Sequence, residues 1–444
     1  MSRRMVFGRY DYAAFGMFMA YAVGSVAVPV ALVQVAVDLG FPLDEGGTSL
    51  GGWLHMLRSI AICAALVAGG FLSGRWGNRR PLGWALIFIG AGMALCAATP
   101  TYFVLVLALM VAGLGEGVVE ALGTPFVQEL HQDQPARYMN FTHGFWSLGV
   151  LAATLVFGFM LYAGVSWRVC FAAAGAFAIP VVMLMLMPER RVKYPERPAR
   201  VKMGQVVAQT LEICRVPRFW IFFAAMVLAG GGEFCLTFWV ASFVQNANSF
   251  AGNALSGGIG TAIFAAGMFV GRTGFGFLMH QRHLKRLMLG AGVLGVAVCL
   301  VIPWLALSAL EWKLHWFFGV LFLSGIATAP FWPSLQTYAV ECLPKCDATM
   351  LYILLSCAGI PGCGIFTLLM GILAREDNLG MANSFYLVPA CFAGIIALLK
   401  FDTHSQQIGT QMTRILRIFA DKKNKIRGHL RHLRSKFQAR KRCP

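Results

Sequence analysis

YFVLVLALMVAGLGEGVVEALGTPFVQ, residues Tyr102–Gln128, holds no Lys or Arg, and its only charged side chains are Glu116 and Glu120. At about 1.5 Å of helical rise per residue, a run of this length crosses the roughly 30 Å hydrocarbon layer of a bilayer. Phe15–Val37, Pro81–Ala98 and Val169–Met187 lack Lys, Arg and acid altogether. The chain of 444 residues is 58% hydrophobic and 13% charged. Its mean hydropathy is +0.67, which is more apolar surface than a water-exposed fold of this size could bury. A soluble enzyme, a nucleic-acid-binding domain and a disulfide-stapled secreted protein are excluded, and a polytopic membrane protein is predicted.

Apolar runs separated by polar or Gly/Pro clusters predict twelve spans, near 11–37, 51–73, 81–98, 102–128, 138–162, 168–187, 218–243, 254–279, 287–307, 314–341, 347–373 and 381–400. They divide the chain into an N-terminal six-helix bundle (1–187), a polar linker (188–217), a C-terminal six-helix bundle (218–400) and a basic tail (401–444). Of the 37 Lys and Arg, 32 fall in the termini, the linker and alternate loops. By the positive-inside rule, both termini are then cytoplasmic, in a plasma or bacterial inner membrane. The tail carries 12 Lys/Arg against Asp402 and Asp421. Directly after a span, such a tail is read as lying on anionic lipid headgroups rather than on nucleic acid. The 12 Cys lie mostly in apolar runs without metal-ligand spacing and read as small buried hydrophobes, and no metal or cofactor is expected. The first span reads as retained, since no convincing cleavage site follows Met-Ser-Arg-Arg.

Ionisable groups inside spans are costly and tend to face a wet cavity or a partner. Glu116 and Glu120 are i, i+4 on one helix and share a face. Two carboxylates that close in a low dielectric resist ionising together, which leaves one able to exchange a proton near neutral pH; one of them could instead pair with Arg58, His143 or Arg272. Glu233 follows Gly230–Gly232, where local unwinding is expected, and is either a second cavity carboxylate or the partner of Arg272. His143 and Trp146, at i, i+3, suit a polyol, because sugars stack apolar C–H faces on aromatic rings and bind carboxylates through their hydroxyls. Trp332 is a weaker candidate of the same kind. Arg58 is expected to bind a substrate carboxylate or to pair with Asp38, Asp44 or Glu45 at an outer gate, and Arg272 reads as structural. Pro29, Pro125, Pro180, Pro303, Pro333, Pro361 and Pro389 lie within spans and suggest kinks. There is no Walker loop, HExxH or Gly-x-Ser-x-Gly, so no enzymatic centre and no self-contained ATP-driven pump is expected.

Span 2 ends Gly70-Phe-Leu-Ser-Gly74-Arg75-Trp-Gly77-Asn-Arg79-Arg80, and span 8 ends Gly276-Phe-Leu-Met-His280-Gln-Arg282, a repeat at the same place in each half. On Gly70, Arg75, Gly77, Arg79 and Arg80 the chain resembles the major facilitator superfamily, although the usual Asp of that motif is replaced by Gly74. The resemblance implies an all-α membrane protein with twelve transmembrane helices in two pseudo-symmetric six-helix bundles. A finer resemblance, to the fucose–proton symporter branch, rests on Gly115–Phe126, Asn140–Gly149, Gly267–Arg272 and Phe331–Pro333. It implies substrate binding and proton coupling at Glu120 and places His143 where the branch commonly has Gln. The branch's span-1 Asp falls on Ser25, so that carboxylate is missing. The resulting expectation is a monomeric secondary transporter moving a small polar solute, plausibly a sugar, with protons. A proton-driven exporter of amphipathic compounds and a non-transporting membrane sensor remain the alternatives.

Overall fold

The computed structural model describes residues 5–132, 135–187, 203–246, 250, 252–278 and 283–402. Among the described residues all regular structure is helical. The helices are α1 (Arg9–Asp38), α2 (Thr48–Trp76), α3 (Arg79–Ala97), α4 (Tyr102–Leu130), α5 (Pro135–Tyr162), α6 (Trp167–Leu186), α7 (Met203–Cys214), α8 (Pro217–Asn246), α9 (Ala254–Leu278), α10 (Leu284–Leu307), α11 (Lys313–Thr328), α12 (Phe331–Cys342), α13 (Ala348–Leu373), α14 (Gly380–Ser384) and α15 (387–402). Twelve segments are long and apolar enough to cross a membrane. They form two six-helix bundles, α1–α6 and α8–α15 without the linker helix α7.

Several helix starts are dictated locally. The side chains of Thr101, Ser166 and Asp347 accept from Val104 N, Arg168 N and Met350 N, each supplying a partner for an amide that the first turn leaves unpaired. Within the first bundle, glycine sets the helix spacing. A Cβ on Gly117 of α4 would stand 2.1 Å from the carbonyl oxygen of Ile62 on α2, an approach only a bare Cα allows.

Within the linker, Met203–Cys214 forms an amphipathic helix whose Ile213 is buried while Val207 and Leu211 are exposed. Two expectations need amendment. The tenth span, Lys313–Cys342, is two helices broken at Ala329–Pro330, where Pro330, and Pro333 in the first turn of α12, have no amide hydrogen to continue the backbone ladder. The expected unwinding at Gly230–Gly232 is absent, and α8 runs through it. There the missing side chain serves packing instead: a Cβ on Gly230 would lie 2.3 Å from the Gly359 carbonyl oxygen of α13. The 188–202 part of the linker and the basic tail beyond Asp402 lie outside the described residues.

The two bundles meet along α1–α8, α2–α13 and α5–α9. At the ends carrying the 1–2, 5–6, 7–8 and 11–12 loops, the seam is shut. A Cβ on Gly364 would be 2.8 Å from the Ser59 Cβ, one on Gly52 2.8 Å from the Leu368 Cα, and one on Gly258 2.4 Å from the Thr154 carbonyl oxygen. Gln34 Nε2 donates to Gln245 Oε1 at 3.2 Å across the same half, and Trp239 is fully buried, donating to the Thr367 carbonyl at 3.0 Å.

Candidate functional site

On the other half the bundles part around a cavity of about 560 Å³. Its inner end is formed by Tyr21, Phe234 and Ile360, and its lining runs outward to Gln128, Leu284, Thr337 and Ala348, at the ends carrying the 4–5, 8–9 and 10–11 loops. Of the residues singled out in the sequence, Glu120, His143, Trp146, Glu233, Arg272 and Trp332 line it.

Glu120 projects from α4 and accepts a hydrogen bond from the Ser356 hydroxyl of α13 at 3.3 Å; Ser356 in turn accepts from Gln336 Nε2 of α12 at 3.1 Å. This chain crosses from one bundle to the other. Among the described residues Glu120 makes no ion pair, so its carboxylate holds only a neutral hydroxyl. Glu233 differs. Arg272 Nη2 donates to its two carboxylate oxygens at 3.1 and 3.3 Å, Arg272 Nη1 donates to Ser147 Oγ at 3.3 Å, and the guanidinium lies 5.4 Å from the Trp146 ring. The pair neutralises itself and ties α8, α9 and α5 together. His143 shares a 2.9 Å hydrogen bond with Thr124 Oγ1 and lies against the Phe18 ring at 4.6 Å.

Glu116 and Arg58 are not in the cavity. Arg58 Nε donates to Glu116 Oε2 at 2.9 Å, its Nη2 bonds Glu116 Oε1, and its Nη1 approaches the Ser25 carbonyl at 3.5 Å. Both side chains are closed off inside the first bundle, at 2% and 0% exposure. Of the two readings left open for Glu116, the structure shows the pair with Arg58, away from the cavity that Glu120 lines, and the expected pairing of Arg58 with Asp38, Asp44 or Glu45 does not occur. The reason is positional. One helical turn separates the two glutamates, and the bundle interior ends between them, so Glu116 meets α2 where Glu120 meets the opening. Asp38 instead accepts from Trp167 Nε1 at 2.8 Å and Arg168 Nη1 at 3.1 Å.

At the 2–3 turn, Gly77 adopts φ +70°, a left-handed conformation that suits glycine. Arg79 Nη1 reaches the Tyr10 hydroxyl at 3.3 Å and the Leu186 carbonyl at 3.5 Å, and Asn78 Nδ2 donates to Glu129 Oε1 of α4 at 2.6 Å. Arg80 is exposed, and the side chain of Arg75 lies outside the described residues. A Cβ on Gly70 would lie 4.0 Å from the Ile353 Cδ1 of α13.

Sequence reasoning missed Tyr21, Ser356 and Gln336. A hydroxyl within a span gives little warning, because Ser in a helix commonly satisfies itself on the carbonyl one turn back.

Three structural comparisons bear on this arrangement. A variant of the E. coli fucose:proton symporter is 16% identical, with TM-score 0.61, covering 88% of this chain and 98% of that one. The major facilitator transporter FucP in the outward conformation is also 16% identical, with TM-score 0.62 and the same coverages. A D-xylose-proton symporter is 15% identical, with TM-score 0.67, covering 88% of this chain and 96% of that one. These likenesses establish the fold. No curated protein matches the sequence. The family model described as Major Facilitator Superfamily matches residues 13–359. With that match and the two-bundle architecture, the chain belongs to the major facilitator superfamily of membrane transporters.

Proposed function

We infer that the protein is a proton-coupled symporter of a small neutral, hydroxylated solute of monosaccharide type, working by alternating access. The observation that carries this reading is Glu120, the one cavity acid left without a cationic partner among the described residues, bonded instead to Ser356 of the opposite bundle. A carboxylate in that position holds a proton or gives it up as the bundles rock, because parting or closing the seam changes both its hydration and its Ser356 contact. Glu233 cannot play the same part while Arg272 holds it. Trp146 and Trp332 offer aromatic faces to sugar C–H groups, and Gln336, Ser356 and His143 offer hydrogen bonds to hydroxyls. The volume lies in the ordinary range of small-molecule sites, about 300–1,000 Å³. The proton symporters among the structural neighbours act on fucose and D-xylose by their names, which supports the same substrate class here.

By the positive-inside distribution the termini are cytoplasmic, so the cavity opens inward, and the basic tail rests on anionic lipid. The test is uptake of labelled monosaccharides into proteoliposomes under an imposed inward proton gradient. Transient accumulation at least severalfold above equilibrium is expected for one or a few sugars, with collapse on adding a protonophore. Gradient-driven efflux of amphipathic dyes without sugar uptake would favour the exporter reading, to which Phe18, Phe234 and Phe275 in the walls lend some support. Movement of neither leaves the sensor.

A further inference from the structure

α2 and α13 run antiparallel along the junction of the bundles, and three close approaches fix their register. A Cβ on Gly52 would lie 2.8 Å from the Leu368 Cα, one on Gly364 2.8 Å from the Ser59 Cβ, and one on Gly70 4.0 Å from the Ile353 Cδ1. Cys63 follows Ser59 by one turn and Cys357 precedes Gly364 by two, so both stay on the facing stripes. The register sets them opposite each other, and the Cys63 thiol hydrogen-bonds with the thiol of Cys357. Each bundle supplies one sulfur. Both are free thiols, and neither is fully buried.

The pair also has its own approach. Met56, Ser59, Ile60, Cys63, Val67 and Pro361 border an apolar cleft of about 270 Å³, apart from the central cavity. Ile60 and Val67 are 48% and 49% exposed. Exposed aliphatic side chains on a span face acyl chains, so the cleft opens sideways into the bilayer. Alanine or valine would serve packing at the two cysteine positions. Two thiols in contact add what those residues lack, a two-electron oxidation that joins them.

We propose that Cys63 and Cys357 form a redox-modification site, oxidised to a disulfide by an apolar hydroperoxide, such as a peroxidised acyl chain, that enters from the bilayer. The Cys63 sulfur attacks the outer peroxide oxygen, and the O–O bond breaks. The thiol proton passes to the departing alkoxide, which leaves as an alcohol, and Cys63 becomes a sulfenic acid. The Cys357 sulfur then attacks the Cys63 sulfur, the S–O bond breaks, and hydroxide leaves as water with the Cys357 proton. In all, two electrons pass from the thiols to the peroxide. The product ties the first bundle to the second about 6 Å along α2 from the Ser59–Gly364 contact. α2 and α13 can then neither slide nor part there, and the rocking of the bundles stops. A thiol reductant reverses the tie by exchange. The proposal needs the two-bundle fold and neither the sugar nor the proton.

The test uses the full chain in nanodiscs, with cumene hydroperoxide as the apolar oxidant and hydrogen peroxide as the polar one at equal concentration. Peptide mass spectrometry without reduction identifies the Cys63–Cys357 disulfide among the other cysteines. Hydrogen exchange reads the opening of residues 48–59 of α2 and 364–371 of α13 before and after oxidation. Disulfide formation roughly tenfold faster with cumene hydroperoxide is expected, with exchange in both segments slowed about fivefold. Dithiothreitol should restore the original exchange. Cys63→Ser and Cys357→Ser, which nearly keep the side-chain size, should show parent-like exchange that the oxidant leaves unchanged. Absence of the Cys63–Cys357 disulfide overturns the proposal, as does a disulfide that leaves exchange as it was. Slowing that persists in either serine variant overturns it, because the tie is then elsewhere. Equal rates with the two peroxides overturn it as well, because they place the entry at the aqueous cavity.

Discussion

Glu120→Gln is expected to abolish solute accumulation under a proton gradient while solute exchange across the membrane continues. The amide keeps the size of the side chain and its bond to the Ser356 hydroxyl but cannot bind and release a proton, so the cycle loses its coupling and keeps its site. In proteoliposomes the accumulation ratio should fall from severalfold to one, with counterflow of preloaded sugar within about threefold of the parent rate. Since a tenfold rate change corresponds to about 1.4 kcal/mol, a threefold limit allows only a modest change in the transport barrier. Glu233→Gln should behave differently. It leaves the Arg272 guanidinium short of its partner and should impair binding and stability along with transport. Undiminished accumulation in Glu120→Gln would remove Glu120 from the coupling role.

The largest expected effect on stability lies away from the cavity. Glu116→Leu leaves the Arg58 guanidinium buried without a counter-charge, and breaking a buried ion pair from one side costs about 3–5 kcal/mol. Much lower yield in the membrane and a markedly lower thermal midpoint in detergent should follow. Arg58→Met/Glu116→Leu, which removes both charges and keeps the volume, should recover most of the loss, because an apolar pair of similar size needs no compensation. The double variant should also retain gradient-driven uptake. A double variant that is stable but uncoupled would return Glu116 to the coupling machinery, and a single variant as stable as the parent would remove the pair from the structural core.

These two glutamates mark how far the sequence can be read. Twelve spans were legible because the bilayer demands long uncharged runs and the basic loops alternate with neutral or acidic ones. The break at Ala329–Pro330 was not, since hydropathy continues through it from Lys313 to Cys342. Glu116 and Glu120 were legible as a pair on one face, and their separate surroundings were not. Which of them meets solvent depends on where the two bundles diverge, a tertiary property that i, i+4 spacing does not encode. The same holds for Gly230–Gly232, which could have marked unwinding and instead marks close approach to Gly359. Glu233 meets both readings left open for it, lining the cavity while paired with Arg272, and only packing shows that the two coexist. Ser356 carried no sequence signal, yet it is the residue that ties Glu120 to the second bundle.

On the symporter reading, a single cavity acid without a cationic partner among the described residues sets the expectation of one proton per solute. The most direct measurement is the reversal potential of solute flux in proteoliposomes clamped at a series of proton gradients and membrane voltages, using a monosaccharide shown to be taken up. A single proton per solute is expected at every gradient, with proton movement vanishing in Glu120→Gln. A ratio of zero, or proton movement that persists in that variant, would contradict the account.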